Sequence, residues 1–420
     1  MDHKTLFSHI DRNLPYVIDV LKRMIAVDTS VPPGRHYGDF VDLVAPEFEK
    51  FGFTTQKIIV PEEKVNLMPW NLSGERVNLV ATRQNGKPPV TAYAHMDVVP
   101  VEEPWTRDPF GGEIVDGKLY GRGAVDMKGA TACFLGALKA LHETGTEPAY
   151  SVRCCLCTDE EIGVYPGARY LAEEGYFSPH ILWLEIGSLD PAVFTGLAGA
   201  IRFDITSVGR SCHSGLNYLG VNAIEEFVPV LNELIALKKQ VEQRLSGIPA
   251  LPIPGCPFER MTPMFNLNMM HGGVKENIVP SECTLTINRR YLPDERLEDV
   301  ISEVENAVKN SQRKTRLIDM KIETVHCYPP VVINPDSFAV KKKLAAAKAV
   351  YGYDEFIFGG FSGSSDLGFV IEALKPQSAD IACFGAGSRG SDLTAHSSDE
   401  FVYLDDLAAL TKELAYYLAE

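Results

Sequence analysis

From Leu14 to Val27 apolar residues recur every three or four positions, and the same period returns from about Val41 to Phe51, so both stretches are predicted helices with one buried face. The period then shortens. "VNLVATRQ" and "PPVTAYAHMDVVP" are runs of β-branched and apolar residues between turn formers, which predicts two strands, the second buried on both faces. "DMKGATACFLGALKALHETG" predicts a helix ending at Gly145, followed by the strand "YSVRCCLCT", the helix "YPGARYLAEEGY" and the strand "HILWLEIGS". This alternation predicts an α/β fold, a mixed sheet with helices on both faces. Such sheets hold ligands outside the carboxyl ends of their strands. Three of those ends carry His95 with Asp97, Glu160 with Glu161, and Glu185.

A different pattern starts near Gly199. "AIRFDITSVG", a helix from about Val221 to Leu245, "MFNLNMM", "ECTLTINRRYLP", a helix from about Arg296 to Asn310 and "DMKIETVHC" read β, α, β, β, α, β, a two-layer α+β module. From Pro329 the helix and strand alternation resumes and closes with a helix after Asp405. The expected organisation is a catalytic domain over 1–198 and 328–420, interrupted by a module over 199–327.

Composition narrows the classes. Apolar residues make up 45% and charged residues 23%, as in globular proteins, and the formal charge of −16 is spread along the chain. An acidic surface disfavours nucleic acid or an anionic membrane as partner. The N-terminal stretch lacks the pattern of a secretory signal, and nine irregularly spaced cysteines do not suggest a disulfide framework, so a cytoplasmic location is expected.

Within this frame certain polar residues stand out. His95 and Asp97, two apart on a strand, share a face, so the carboxylate is placed to hold the second nitrogen of a metal-bound imidazole. A structural hydrogen bond at a strand end is the plainer alternative. Asp126, at the entry to a glycine-framed helix in "GKLYGRGAVDMKGA", reads either as a helix cap or as a carboxylate bridging two metals. Glu160 and Glu161 end a nearly charge-free strand and point in different directions, so one can ligate while the other works as a base. Glu185 is a lone acid in an apolar strand and needs a partner, a metal or a raised pKa. His396 lies in "LTAHSSDEFV", before the last helix. Two imidazoles and three carboxylates suit zinc, manganese or cobalt without any cysteine.

"AHMDVVP", "GRGAVDMKG", "TDEEIG", "LEIG" and "AHSSDEFV", in this order, resemble the signature of the aminoacylase, carboxypeptidase G, acetylornithine deacetylase and succinyl-diaminopimelate desuccinylase family of dinuclear-metal peptidases. The resemblance implies a zinc-peptidase-like catalytic domain with an inserted lid and dimerisation domain, hence a homodimer. It implies two divalent cations, zinc first with cobalt or manganese as alternatives. His95, Asp126 and Glu185 would hold one, and Glu161, Asp126 and His396 the other. Glu160 would be the general base and Asp97 the partner of His95. A cis peptide after Asp126 is also implied.

In the inserted module "GRSCHSGLNYLGVNAIE" resembles the family's lid segment, in which a histidine, here His213, polarises the substrate carbonyl. "GGVKENIVP" and "INRRYLP" place Asn277 and Arg290 where relatives contact a substrate carboxylate, for which a guanidinium fork is suited. The implied activity is hydrolysis of an amide in an N-acyl amino acid or another small carboxylate-bearing molecule. The alternatives are exopeptidase action, cleavage of a non-amide carbon–nitrogen bond such as an aryl amine and, least favoured, a non-catalytic binding role. Cys154, Cys155 and Cys157 are read as small core residues. The stretch "PEEKVNLMPWNLSGER", residues 61–76, has no role assigned.

Overall fold

The computed structural model describes residues 3–185, 191–375, 377–387 and 394–420. Its backbone forms two compact units, Met1–Thr195 with Ile333–Phe358 and Phe369–Glu420, and Gly196–Val332 with Gly359–Gly368. Residues 359–368, of sequence "GGFSGSSDLG", thus group with the second unit.

In the first unit α1 (His3–Ile25) and α2 (Tyr37–Glu49) lead into β1 (Thr54–Ile59), β2 (Val77–Arg83) and β3 (Pro89–His95). α3 (Lys128–Glu143), β4 (Ser151–Cys157), α4 (Gly167–Glu173) and β5 (His180–Leu184) follow. The second unit contributes β6 (Gly199–Val208), α5 (Val228–Val241), β7 (Met264–Gly272), β8 (Glu282–Tyr291), α6 (Leu297–Gln312) and β9 (Asp319–Tyr328). The chain returns to the first unit through α7 (Phe338–Tyr351), β10 (Asp380–Phe384) and α8 (Leu404–Ala419).

The sheet of the first unit has the order β1-β2-β4-β3-β5-β10. β4, β3, β5 and β10 run parallel, and β1 and β2 are antiparallel additions at one edge. Period-two alternation divides the central strands between two faces. Val90, Ala92 and Ala94 of β3 and Val152, Cys154 and Leu156 of β4 join one core with residues of α1, α2, α3 and α8. The opposite face is covered as well: Tyr93 packs edge-on to Phe177, and Arg153 donates to the Tyr176 carbonyl at 2.7 Å. Burial on both sides explains why these strands read as continuous apolar runs. Cys154, Cys155 and Cys157 are all fully buried and burial pushes the Cys155 thiol up to about 12, so they pack as small hydrophobes.

Helix α1 begins at His3 rather than near Leu14, because Leu6 and Ile10 continue its buried stripe ahead of Pro15. β1 was not anticipated. It is a largely exposed edge strand with the polar sequence "TTQKII", which carries little apolar signal. α5 is shorter than its apolar pattern suggested, since the chain first makes a 3-10 turn at Glu225–Phe227. The predicted strand "HILWLEIGS" ends at Leu184, and its last residues, 186–188, lie outside the described residues.

The second unit is a two-layer module with an antiparallel sheet of order β7-β8-β6-β9. Cys283, Leu285, Ile287 and Tyr291 of β8 face a core shared with α5 and α6, which turns Asn288 and Arg290 to the other side. Among the described residues no helix is long and apolar enough to cross a membrane.

Candidate metal centre

The parallel strands β4, β3 and β5 are neighbours and end together, so residues just past their carboxyl ends meet in space. Continuing the register of Tyr93 with Trp183 by two positions sets His95 beside Glu185, and His95 itself pairs with Cys157, three residues before Glu160. Two loops complete the cluster, one bringing Asp126 ahead of α3 and the other His396 ahead of α8.

Asp126 is shared. Its Oδ1 lies 3.2 Å from His95 Nε2, which is 3.6 Å from Glu185 Oε1, while its Oδ2 lies 3.0 Å from His396 Nε2, which is 3.0 Å from Glu161 Oε2. His95, Asp126 and Glu185 form one group whose ligand atoms all lie within 4.8 Å of one another, and Asp126, Glu161 and His396 form a second. Two donors bound tetrahedrally to one zinc at about 2.0–2.2 Å sit roughly 3.3–3.6 Å apart, close to the separations here, so both groups fit a divalent cation. His95 is already oriented, because its Nδ1 bonds the backbone carbonyl of Asp97 at 3.0 Å and leaves Nε2 facing the acids.

The Asp97 side chain does something else. Its Oδ1 is 3.7 Å from His95 Nδ1, beyond hydrogen-bond range, whereas Oδ2 accepts the Glu161 N–H at 3.0 Å. The carboxylate therefore braces the turn of the paired acids, and the backbone of the same residue orients the imidazole. Glu160 and Glu161 form a single 3-10 turn with Ile162, and Glu160 is 8% exposed and in neither ligand group. The backbone here is costly: Asp159 and Val164 hold φ near 65° and 66°, a conformation worth about 1–3 kcal/mol of strain per residue outside glycine. The Asp126–Met127 peptide is cis, as the family resemblance implied.

Glu400, which the sequence reading passed over, anchors the Asp126 loop. Its Oε1 accepts the N–H groups of Val125 and Asp126 at 3.0 and 3.1 Å. Its Oε2 accepts the Gly123 N–H at 3.1 Å and Arg122 Nη1 at 2.9 Å. Both Glu400 and Arg122 are 1% exposed. Each charge-assisted bond of this kind is worth about 1.5–3 kcal/mol, so the loop that carries Asp126 is firmly held. The partners lie about 275 residues away in the chain, and no local pattern announces them.

Packing such groups together displaces the titrations of His396, His95 and Glu161. Burial works against a charge on His396, but hydrogen bonds to Asp126 and Glu161 outweigh it and lift its pKa to about 11. Burial likewise opposes the charge on His95, and Glu185 and Asp126 raise its pKa well above the usual range. Glu161 is pushed up to about 7 by burial and by Asp126. Without metal both imidazoles therefore carry protons at neutral pH, and a cation must expel them. Zinc added to metal-free protein in weak buffer near pH 7 is expected to acidify the solution. Its apparent affinity should rise about tenfold per pH unit for each proton displaced, because raising the pH removes the competitor. Calorimetry in buffers of different ionisation enthalpy counts the protons, and a pH-independent affinity would contradict the arrangement.

In the second unit β-bridging of Cys212–His213 with Ile278–Val279 places His213 next to Asn277, whose carbonyl accepts the Ser214 N–H at 3.1 Å. The Gly215 N–H donates to His213 Nδ1 at 3.0 Å, so a neutral ring carries its proton on Nε2, free to donate outward. Arg290 is held at both ends of its fork: Nε donates to Asn288 Oδ1 at 3.1 Å and Nη1 to Ser364 Oγ at 2.7 Å.

An α/β domain that gathers two imidazoles and two further carboxylates around one aspartate carries two candidate metal-ligand groups. The chain belongs to the peptidase family M20/M25/M40, whose model matches residues 91–420, and is a metal-dependent hydrolase. It is 26% identical over 350 residues to a probable succinyl-diaminopimelate desuccinylase of Staphylococcus epidermidis, covering 80% of this chain and 84% of the relative. It is 31% identical over 299 residues to acetylornithine deacetylase of Pectobacterium carotovorum, covering 69% of this chain and 71% of that protein. Its fold matches a di-peptidase structure from Saccharomyces cerevisiae with a TM-score of 0.80 at 19% identity, covering 100% of this chain and 98% of the other.

Proposed function

We propose that the protein hydrolyses the amide bond of an N-acyl amino acid or a related small carboxylate-bearing substrate, using two divalent cations, zinc by preference with cobalt or manganese able to substitute. The observation that carries this reading is Asp126, whose two oxygens face two separate His-plus-carboxylate groups. The desuccinylase and deacetylase among the relatives support the substrate class. Cations held there by His95, Asp126, Glu185, Glu161 and His396 would supply Lewis acidity toward the carbonyl and would lower the pKa of a water.

The chain's own groups do the rest. Glu160 takes the proton from the water and returns it to the leaving amine nitrogen, a task for a buried carboxylate beside, but outside, the ligand set. His213, with its proton on Nε2, donates to the developing oxyanion. Arg290 and Asn277 receive the substrate carboxylate, and the bonds to Asn288 and Ser364 preset the guanidinium plane. Two copies are taken to pair through the second unit, where Met269 and Met270 on the edge strand β7 are 48% and 42% exposed and Val274 is 95% exposed. An uncovered apolar strand edge is a template for pairing with another chain. Nine free thiols fit a reducing compartment, the cytoplasm.

The test is to screen zinc-reconstituted protein against N-acetyl and N-succinyl amino acids, dipeptides, folate-type glutamates and aryl amines. Acylated amino acids are expected to be turned over best. For the substrate found, Arg290→Ala should raise KM about 10–100-fold, and much less when the carboxylate is replaced by a carboxamide. Preferential cleavage of dipeptides would move the reading to an exopeptidase, and turnover confined to aryl amines would remove the amide assignment.

A further inference from the structure

Residues 61–76, "PEEKVNLMPWNLSGER", connect β1 to β2 and form only one short helix, at Glu62–Val65. Irregular connections usually lie on the surface, yet this one is fastened at two points. Met68, 5% exposed, belongs to an apolar cluster with Val31, Val60, Ile162 and Tyr165, against which Val65, Trp70 and Leu72 also pack. At its end Arg76, 1% exposed, donates through Nη1 to the carbonyls of Ser73 and Gly74 at 2.8 Å each and through Nη2 to that of Pro33 at 3.0 Å. This leaves Nε facing Asp159 Oδ2 at 3.4 Å, while Tyr37 donates to Asp159 Oδ1 at 3.1 Å.

Asp159 immediately precedes Glu160, and Ile162 to Tyr165 immediately follow Glu161. The segment therefore grips the acidic turn on both sides. That turn needs holding, because its φ is positive at Asp159, Gly163 and Val164, and within it the Gly163 N–H reaches the carbonyls of Asp159 and Glu160, each at 3.2 Å. Backbone of this kind persists only where its surroundings over-determine it.

We propose that residues 61–76 act as a strut that positions the Glu160–Glu161 turn, setting the aim of the base and keeping Glu161 within reach of Asp126 and His396. The inference deepens the two-metal reading above and rests on it. Its residues are positioning residues, since they touch the turn rather than substrate or metal. The group of His95, Asp126 and Glu185 is carried by other elements and is expected to be indifferent to the strut.

The test titrates metal-free protein with zinc against a chromophoric chelator, comparing the native chain with Met68→Ala/Trp70→Ala, Trp70→Ala, Trp70→Phe and Leu67→Ala. Leu67 lies on the same segment but is 57% exposed, so it serves as the control. The native chain and Leu67→Ala should bind two zinc ions per chain, one for each ligand group. Met68→Ala/Trp70→Ala and Trp70→Ala, folded by circular dichroism, should lose about 10–100-fold in one step only, and Trp70→Phe should recover most of it. Two unaltered steps in the double variant, or equal weakening of both, would overturn the strut. A native chain that binds fewer than two would overturn the two-metal reading and the strut with it.

Discussion

Glu160→Gln protein is expected to keep its full complement of metal and to lose turnover by about 10²–10⁴-fold, the usual worth of a positioned general base. The substitution nearly preserves shape while it removes the negative charge and with it the capacity to carry a proton. Glu160 is 8% exposed, lies in the 3-10 turn with Glu161 and belongs to neither ligand group, so the change should leave both groups intact. The loss should therefore fall on kcat, with KM changed little, because the proton transfer is made in the transition state and not in substrate binding. Elemental analysis alongside steady-state kinetics separates these effects. A Glu160→Gln variant with near-native kcat would remove the base, and one that lost metal would recast Glu160 as a ligand.

Asp126→Ala is expected to strip both metals at once. Its oxygens sit 3.2 Å from His95 and 3.0 Å from His396, so each ligand group loses a member, whereas His95→Ala depletes one group alone. The imidazoles also lose the carboxylate that holds them together. Dialysis against zinc at a concentration that fills the native sites should leave Asp126→Ala with essentially none and His95→Ala with the His396 group still competent. Activity should be undetectable in Asp126→Ala. Retention of one tightly bound zinc by Asp126→Ala would mean that the aspartate does not bridge.

These two expectations drew on different kinds of information. Candidate ligands were legible in the chain because each breaks a local pattern: Glu185 is an acid in an apolar run, and Glu160 and Glu161 follow a strand whose one charge is Arg153. Strands β3, β4 and β5 were legible because a sheet buried on both faces demands unbroken apolar residues. The edge strand β1 was not, since its exposed side chains place no such demand on composition. Cys154, Cys155 and Cys157, read as small core residues, are fully buried.

Asp97 shows where local reasoning stops. Strand periodicity put its side chain on the side of His95, where Oδ1 does lie 3.7 Å from Nδ1, but the hydrogen bond of the carboxylate goes to the Glu161 N–H. Glu400 and Arg76 are harder still, because a buried carboxylate or guanidinium looks like any surface charge until its partners are known. Many of those partners are backbone groups, some of them in distant segments, and a backbone N–H or carbonyl leaves no trace in residue identity.

The amino-acid sequence by itself determined the layering of strands and helices, the two-layer pattern of the second unit and the chemical types available at the strand ends, all of which follow from periodicity and polarity over a few residues. Only the tertiary structure decided that Asp126 faces two ligand groups at once, that Glu400 clamps its loop, and that residues 61–76 brace the acidic turn. Each of those is a matter of ångström-scale distances between segments far apart in the chain, set by how the cores pack, and packing is a property of the whole assembly of side chains rather than of any one stretch.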